Sequence, residues 1–569
     1  MSKNYKGSNN KSENNKRYSK GKDKYTKNNK DYKNRADKEG SYKDNSERVV
    51  GLSGGNHPSW YTVNSTLVDG ASRIPWGYIA GKPLTLTSST GHTRTNVTVP
   101  GVMALEYIPI PGIGESSDDG FNIAAQNVYQ YIRKNLSTQA TYQPADIMMM
   151  FMAIDGIYMQ IANLTRLYGL INAWNADNYY LPYDIIHAGY KLSRDEIYSL
   201  QKNQNEFRSA LNSLIYKTAT LYTPVSFTIF DRHNWLFSNI FKDSDATGKA
   251  QFYISRLYQT PLLIEDVSTE GTMLEYEVVV SRTTNQNTWN NFLNILNESI
   301  EYVRNSDSFN QIMADMKRAY GDEVKTWSLT YIPEGYIVSV TDDPYYKEQL
   351  HNSVILGASR SAGIVSYDES TSKVSAFRIT QSVDHNVIIS KPYIRLYAED
   401  DYGITFNNAA LFTGERLLNL YTSDTSQDMC VEITRNIPTC TPLGDWDGSS
   451  TDRYMRVESA GADLILNAYI YRHNPDPKLD PDETRFEQLI NTTTTGLTTD
   501  KLGVDIVLLY TATPFYYCPM MYMMEENTTT DTSIVPITEF DNYGKISDKT
   551  LKLMNDAIST SMWAVPVSV

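Results

Sequence analysis

The sequence predicts an α+β protein: a mainly helical domain, then a β-rich one, preceded by a basic arm that cannot fold by itself. Three observations carry this. The first forty-eight residues contain no Leu, Ile, Val, Phe or Trp. Beyond them, apolar side chains recur at helical spacing. After about residue 325 the texture changes to short β-branched and aromatic runs separated by Asp, Gly, Asn and Pro.

Residues 1–48 hold fifteen basic against seven acidic side chains, a balance of +8; the whole chain carries −14, so the remainder carries −22. Without aliphatic groups the segment cannot offset a backbone ordering cost of roughly 1–2 kcal/mol per residue. A disordered arm is expected, with an r.m.s. reach of about 40 Å. Its charge is graded: residues 1–30 hold ten basic and two acidic side chains, residues 31–48 five of each. Tyr5, Tyr18, Tyr25, Tyr32 and Tyr42 are spaced through it. Interleaved cations and aromatics suit a nucleic acid, through counterion release and sequence-tolerant stacking. The expected contact residues are Lys3, Lys6, Lys11, Lys16, Arg17, Tyr18, Lys20, Lys22, Lys24, Tyr25, Lys27 and Lys30. The competing reading is a solvated low-complexity tail. The arm has no apolar core of a secretory signal, and its lysines and acids are unlike a mitochondrial presequence.

Residues 49–325 read as the helical domain. Phe121, Ala124, Ala125, Val128, Ile132 and Leu136 follow a 3.6 period. Pro144 and Asp146 open a segment that is apolar nearly all round to Ile171, as in a helix buried at the centre of a domain. Its internal Asp155 and Arg166 are expected to pair with neighbours and not with each other. No apolar stretch is expected to reach membrane-spanning length, since Ile147–Ile154 ends at Asp155. Ser193 with Glu196 forms a capping box for a helix running through Leu214. Two more helices are expected at Trp289–Val303 and from Asp307 to a terminating Gly321.

Residues 326–540 read as the β-rich domain. Strands are expected in Gly335–Thr341, Val374–Ile379, Val387–Tyr397, Met429–Ile433, Tyr454–Ser459, Leu464–Tyr471 and Val504–Thr513. Residues 541–569 contain a final helix, Asp548 to about Ser559, expected to return to the first domain.

Catalytic motifs are missing. Gly248-Lys249 lacks the rest of a phosphate loop, Gly357-Ala-Ser359-Arg-Ser361 lacks the second glycine of a nucleophile elbow, and no paired metalloprotease histidines occur. Gly321-Asp322-Glu323 closes a helix and has no second acidic motif upstream. Cys430, Cys440 and Cys518 form neither a disulfide framework nor a zinc pattern, which points to intracellular assembly; Cys518 is expected to be a buried, inert thiol. Asp445, Asp447 and Asp452 offer carboxylates for calcium but lack the closing Glu of an EF-hand, so a solvated loop is expected. His233, in Phe230-Asp-Arg-His-Asn-Trp235, reads as a satisfied structural histidine. Forty-two tyrosines and eighteen methionines suit either protein–protein contact surfaces or a Tyr-rich core. The chain reads as a non-enzyme with no cofactor and no metal. The alternatives are an RNA-processing enzyme with a basic recruitment tail, whose metal site would involve Asp445 and Asp447, and a fibre or adhesin, which the long buried helices disfavour.

A series of segments occurs in a characteristic order: His57-Pro58-Ser59-Trp60-Tyr61, Val99-Pro100-Gly101-Val102-Met103 and Asn122 to Arg133. It continues with Ala153-Ile-Asp155-Gly-Ile-Tyr158, Arg166-Leu-Tyr168-Gly169 and Tyr179-Tyr-Leu-Pro182. Arg232-His233-Asn-Trp235, Asp243-Ser-Asp245 and Lys249-Ala-Gln251 complete it. Over about residues 50–260 this order and spacing resembles the capsid proteins of picobirnaviruses and picobirnavirus-like double-stranded RNA viruses; a partitivirus-like coat is the near neighbour. The resemblance implies a helical shell domain, a projecting domain and a lumen-facing arm. It further implies symmetric homodimers that close into an icosahedral shell around a segmented double-stranded RNA genome. The chain would be assembled in the host cytoplasm, located in the virion and able to lose an N-terminal peptide. The resemblance carries no active-site residues.

Overall fold

The computed structural model describes residues 60–74, 83–87, 93–98, 101–134, 136, 139–173, 180–181, 183–244, 250–265, 271–327, 331–357, 363–382, 386–396, 414–422, 425–443, 453–474, 476, 478–491, 515, 517–527 and 531–566. They fall into two compact units, one up to Gly77 and one from Tyr78 onward. In the first, helix α1 (Ser65–Ser72) begins at Asn64, whose side chain accepts from the Thr66 N–H, and an Asp69–Arg73 pair spans one turn.

The second unit is built around one helix. Amphipathic α2 (Gly120–Arg133) buries Phe121, Ala124, Ala125, Val128 and Ile132 along one stripe. Next comes α3 (Pro144–Ile171), opened by Pro144 and by reciprocal capping between Gln143 and Asp146. Every α3 residue except Asp146, Thr165 and Ile171 is buried. Contrary to the sequence expectation, α3 is long and apolar enough to cross a membrane, because the helix carries Asp155 through without ending; that apolar stretch lies wholly inside protein. Shorter helices follow: α4 (Tyr183–Tyr190), α5 (Arg194–Lys202), α6 (Gln204–Lys217), α7 (Ile229–Ser238), α8 (Trp289–Asn305) and α9 (Asp307–Tyr320). Of these, α6, α7 and α8 join α2 in packing on α3. The helix expected from Ser193 through Leu214 is two, because Asn203 leaves helical geometry between α5 and α6. Caps come from Ser193, Thr288 and Ser306, and Gly321 ends α9 at φ 60°.

The principal sheet has six strands: β1 (Val102–Pro109), β2 (Ile240–Lys242), β3 (Phe252–Leu257), β4 (Val340–Thr341), β5 (Asp463–Arg472) and β6 (Asp482–Arg485), in the order β4-β2-β3-β1-β5-β6. Parallel pairing joins β1 to β3, and antiparallel pairing joins β1 to β5 from Asp463↔Pro109 to Tyr471↔Val102. Strands β1 and β3 are buried along their whole length, as expected where both faces of a sheet are covered. This sheet crosses the boundary expected at residue 325, since β5 and β6 complete a core begun by β1. A five-stranded sheet runs Lys373–Ala376, Ile364–Asp368, Tyr393–Leu396, Arg453–Ser459, Thr439–Leu443.

Helices α10 (Pro344–His351) and α11 (Gln427–Ile433) lie within the later sequence. The second corrects the expected strand at Met429–Ile433: the Ser426 hydroxyl accepts from the Met429 N–H and starts a helix instead. In Gly335–Thr341 only Val340–Thr341 pairs as a strand, and Val504–Thr513 lies outside the described residues. Helix α12 (Asp548–Met562) packs on α2. Trp563 after it meets Phe121, Phe151, Phe227 and Phe230 at ring separations of 6.1, 6.5, 5.3 and 6.1 Å.

Gly156 marks where α3 comes closest to the strand Gln259–Glu265. A Cβ there would stand 2.6 Å from Thr260 Oγ1 and 3.0 Å from the Pro261 carbonyl oxygen. Alanine is the better helix former by about 1 kcal/mol, but overpacking against backbone costs about 1–3 kcal/mol. Gly156→Ala is therefore expected to lower the calorimetric unfolding temperature; a raised midpoint would contradict the close approach.

Candidate functional site: buried ionic clusters

The apolar core contains charges, and each group of them joins elements distant in sequence. In the first cluster, α3 supplies Asp155, α7 supplies Arg232 and His233, and β5 supplies Asp463. His233 Nδ1 lies 2.6 Å from Asp155 Oδ2, and its Nε2 lies 3.8 Å from Asp463 Oδ2. Arg232 donates to both oxygens of Asp463, at 2.7 Å from Nε and 3.2 Å from Nη2. Its remaining donors reach Gln349 and Asn436. Burial acts to lower the His233 imidazole, but the Asp155 and Asp463 carboxylates outweigh it and hold the group at about 9. Burial acts to raise Asp463, yet Arg232 and His233 hold it well below the usual carboxylate range. Burial raises the Asp155 carboxyl against the pull of His233; with Asp155 ionised and His233 protonated, the four charges cancel.

The second cluster lies on β1 and β3. Glu106 and Arg256 are partners in the parallel register, and Arg256 Nη1 lies 3.1 Å from Glu106 Oε1. Arg282 grips the same carboxylate, with Nη2 2.8 Å and Nε 3.0 Å from Oε2. Burial acts to raise Glu106, but Arg282 and Arg256 leave it below its ordinary value. Arg256 also donates to the Ala188 carbonyl and the Tyr471 hydroxyl. Lys191, just beyond α4, pairs with Glu483 of β6 at 2.6 Å.

A third buried cation is satisfied without a carboxylate. Arg166 on α3 donates to Asn163 Oδ1 and the Ser255 carbonyl at 2.7 Å, to the Tyr190 hydroxyl at 3.0 Å and to the Asn239 carbonyl at 3.2 Å. Asp155 and Arg166 thus each find neighbours, as expected from their positions in α3.

These groups join elements distant in sequence. No hydroxyl or thiol is hydrogen-bonded to His233 among the described residues, so no nucleophile–base pair is formed there. The cavity beside Asp155 and His233 measures ≈ 20 Å³ and is lined also by Pro261 and Trp563. That is room for one water molecule. Cys518, expected to be buried, is only partly so, but its surroundings still push the thiol up to about 12, away from the reactive thiolate. The expected RNA-contact residues Lys3 to Lys30, and Asp445, Asp447 and Asp452, lie outside the described residues. Sequence reading singled out His233, Asp155 and Arg166 but missed Glu106 and Arg256. Their only signal was a charge inside an apolar run, Leu105-Glu106-Tyr107 and Ser255-Arg256-Leu257.

The described clusters tie elements distant in sequence into one buried scaffold, and the comparisons with known proteins give its class: a viral structural protein. Residues 60–469 match the family model described as picobirnavirus capsid protein, well beyond the segments that carried the resemblance. The chain belongs to the picobirnavirus capsid protein family: it is a viral capsid protein, located in the virion. The capsid protein precursor of human picobirnavirus (strain Human/Thailand/Hy005102/-) is 23% identical over 528 residues, covering 90% of this chain and 91% of that relative. The fold is similar to the solved X-ray crystallographic structure of the picobirnavirus capsid, with a TM-score of 0.73, 22% identity, and coverage of 90% of this chain and 100% of that one.

The first cluster generates a pH prediction. The folded-state value of His233 lies above its ordinary 6.5, so its stabilisation is complete below about pH 6.5 and is lost as pH rises through about 9. The interval corresponds to about 3 kcal/mol. Thermal midpoints measured from pH 7 to 10 should fall more steeply for the native protein than for His233→Gln. Parallel curves would show that the imidazolium does not stabilise the core. Asp155→Asn at pH 7 should cost about 3–5 kcal/mol, because it removes the nearer partner of a buried cation.

Proposed function

We propose that this capsid protein self-assembles, through symmetric homodimers, into an icosahedral shell enclosing a segmented double-stranded RNA genome. The arm contacts packaged RNA without sequence preference. Assembly takes place in the host cytoplasm, and the chain has no catalytic role. The observation that carries this reading is the charge division within a capsid protein: +8 on residues 1–48 against −22 on the remainder. An acidic body repels RNA from its surface, so a basic arm is the part of the chain suited to it. Lys3, Lys6, Lys11, Lys16, Arg17, Lys20, Lys22, Lys24, Lys27 and Lys30 supply the charge, and Tyr18 and Tyr25 the stacking faces. Each arm binds weakly, and many copies facing one lumen bind strongly. The human picobirnavirus relative is named a capsid protein precursor, which supports processing of this chain too.

Residues 49–325 form the shell domain in this reading, joined by β5 and β6 and by the C-terminal helix of 541–569. The five-stranded sheet is the part of residues 326–540 best suited to project. Expressed alone, the protein should form closed particles of uniform size by negative-stain electron microscopy; a stable monomer at high concentration would refute self-assembly. Deleting residues 2–30 should leave particles intact but lower their A260/A280 ratio. Nucleic acid bound by the full-length arm should dissociate as salt is raised. An unchanged ratio after deletion would remove the arm from RNA binding.

A further inference from the structure

The strand Asn542–Ile546 forms a two-stranded antiparallel ribbon with the strand Arg416–Leu420, in the register Arg416↔Ile546 to Leu420↔Asn542. Only one of its edges is used, and the Asn352 side chain shows which. Asn352 Oδ1 accepts from the Asn419 N–H and its Nδ2 donates to the Asn419 carbonyl, both at 2.8 Å. Both backbone groups of Asn419 therefore point away from the ribbon, so Asn419↔Tyr543 is a pair without ladder hydrogen bonds. By the alternation of an antiparallel ladder, Leu417↔Lys545 is another. The N–H and C=O groups of Tyr543 and Lys545 then face outward. Among the described residues no group meets them. Asn542, Tyr543, Gly544 and Lys545 are all exposed, Tyr543 to 68%.

Gly544, between the two outward-facing residues, is not required by its own chain. It is not among the glycines with positive φ, and a Cβ there would meet nothing within 4 Å. A glycine inside a strand weakens it, and one that neither φ nor internal packing demands marks a close approach of another backbone.

We propose that this edge pairs with the same edge of a second copy of the chain, about a two-fold axis at Gly544, so that two ribbons join into one four-stranded sheet. The proposal rests on the reading that the protein assembles through symmetric homodimers, and it gives that dimer a contact. Antiparallel pairing centred on Gly544 sets Tyr543 opposite Lys545 of the partner subunit. The two residues then exchange their outward donors and acceptors. Gly544 lies opposite its own counterpart in a non-hydrogen-bonded pair, the type in which side chains crowd most. The same register keeps the two lysines apart and places each beside an aromatic ring, a favourable cross-strand pair. Lys545 is tied to Glu415 of its own ribbon at 2.5 Å. That ion pair lessens the charge by which an edge lysine otherwise prevents pairing.

Cysteine cross-linking of the full-length protein tests the contact, with the native chain and its three cysteines as the baseline. Gly544→Cys should give a disulfide-linked dimer on mild oxidation, because opposed Cα atoms about 4.5 Å apart lie within disulfide reach. Asn542→Cys, displaced about 13 Å from its counterpart, should not. Tyr543→Lys added to Gly544→Cys sets like charges opposite each other twice and should lower the cross-linked fraction about fivefold, whereas Tyr543→Glu should not lower it. These side chains are exposed, so none of the changes disturbs the core. No cross-link at Gly544→Cys above the native baseline, or equal cross-linking at Asn542→Cys, would overturn the edge pairing. Electron microscopy of the native protein reports on self-assembly separately, so closed particles without the cross-link would overturn this contact alone.

Discussion

A helix of seven to eight turns, buried except at Asp146, Thr165 and Ile171, has almost no contact with water, and this condition on α3 governs the rest of the second unit. Burial makes an unmet polar side chain costly, and most of those on α3 are met from other elements, although Asp155 Oδ1, Gln160 Oε1 and Thr165 Oγ1 find no hydrogen-bond partner among the described residues. Asp155 draws in His233 of α7 and, through it, Asp463 of β5. Arg166 draws in Tyr190 of α4 and the Ser255 carbonyl of β3. Gln160 reaches Ser299 of α8 at 3.1 Å. The polar residues of α3 thus specify which elements surround it and in what rotation, while its apolar residues supply the driving force without specifying a partner.

The same demand extends into the sheet. Glu106 on β1 is buried among two arginines, Asn467 of β5 and apolar neighbours. It can be ionised there only because Arg256 and Arg282 approach from separate directions. A capsid subunit must present a fixed shape to many copies of itself, and cores held by discrete ionic contacts resist sliding between alternative packings. The histidines divide this labour by environment. His233, beside two carboxylates, is held cationic; His351, whose Nε2 faces the Asn419 amide nitrogen at 3.0 Å and whose Nδ1 donates to the Cys518 carbonyl at 3.1 Å, is held neutral. The same side chain thus ties the core in opposite protonation states, with the neighbouring acceptors or donors deciding which.

Much of the fold was legible from local pattern. The stripe of α2, the all-round apolarity of α3, the capping residues Ser193 and Ser306 and the glycine after α9 all encode structure within one or two turns. The errors have a common origin. Strands β1 and β3 were not distinguished in a domain read as helical, because a strand buried on both faces loses its alternation and reads as an apolar run. Met429–Ile433 looked like a strand, yet one hydroxyl at Ser426 made it helical. Residues 463–472 were recognised as a strand, but nothing local indicated that their partner was residues 102–109. Of the ionic clusters, Asp155 and His233 stood out as polar groups in apolar or aromatic settings, whereas the Glu106–Arg256 pairing depends on a register between distant strands.

By itself the sequence determined the charge division between arm and body, the helices with their caps, and the order of segments that marks a picobirnavirus-type capsid protein. These are properties of composition and near neighbours, which linear reading preserves. Only the tertiary structure decided that the sheet spans the expected domain boundary, that Asp463 belongs with Asp155, and that Asn419 sets the proton on His351. Those outcomes depend on contacts between residues scores to hundreds of positions apart, and burial is what makes each contact obligatory.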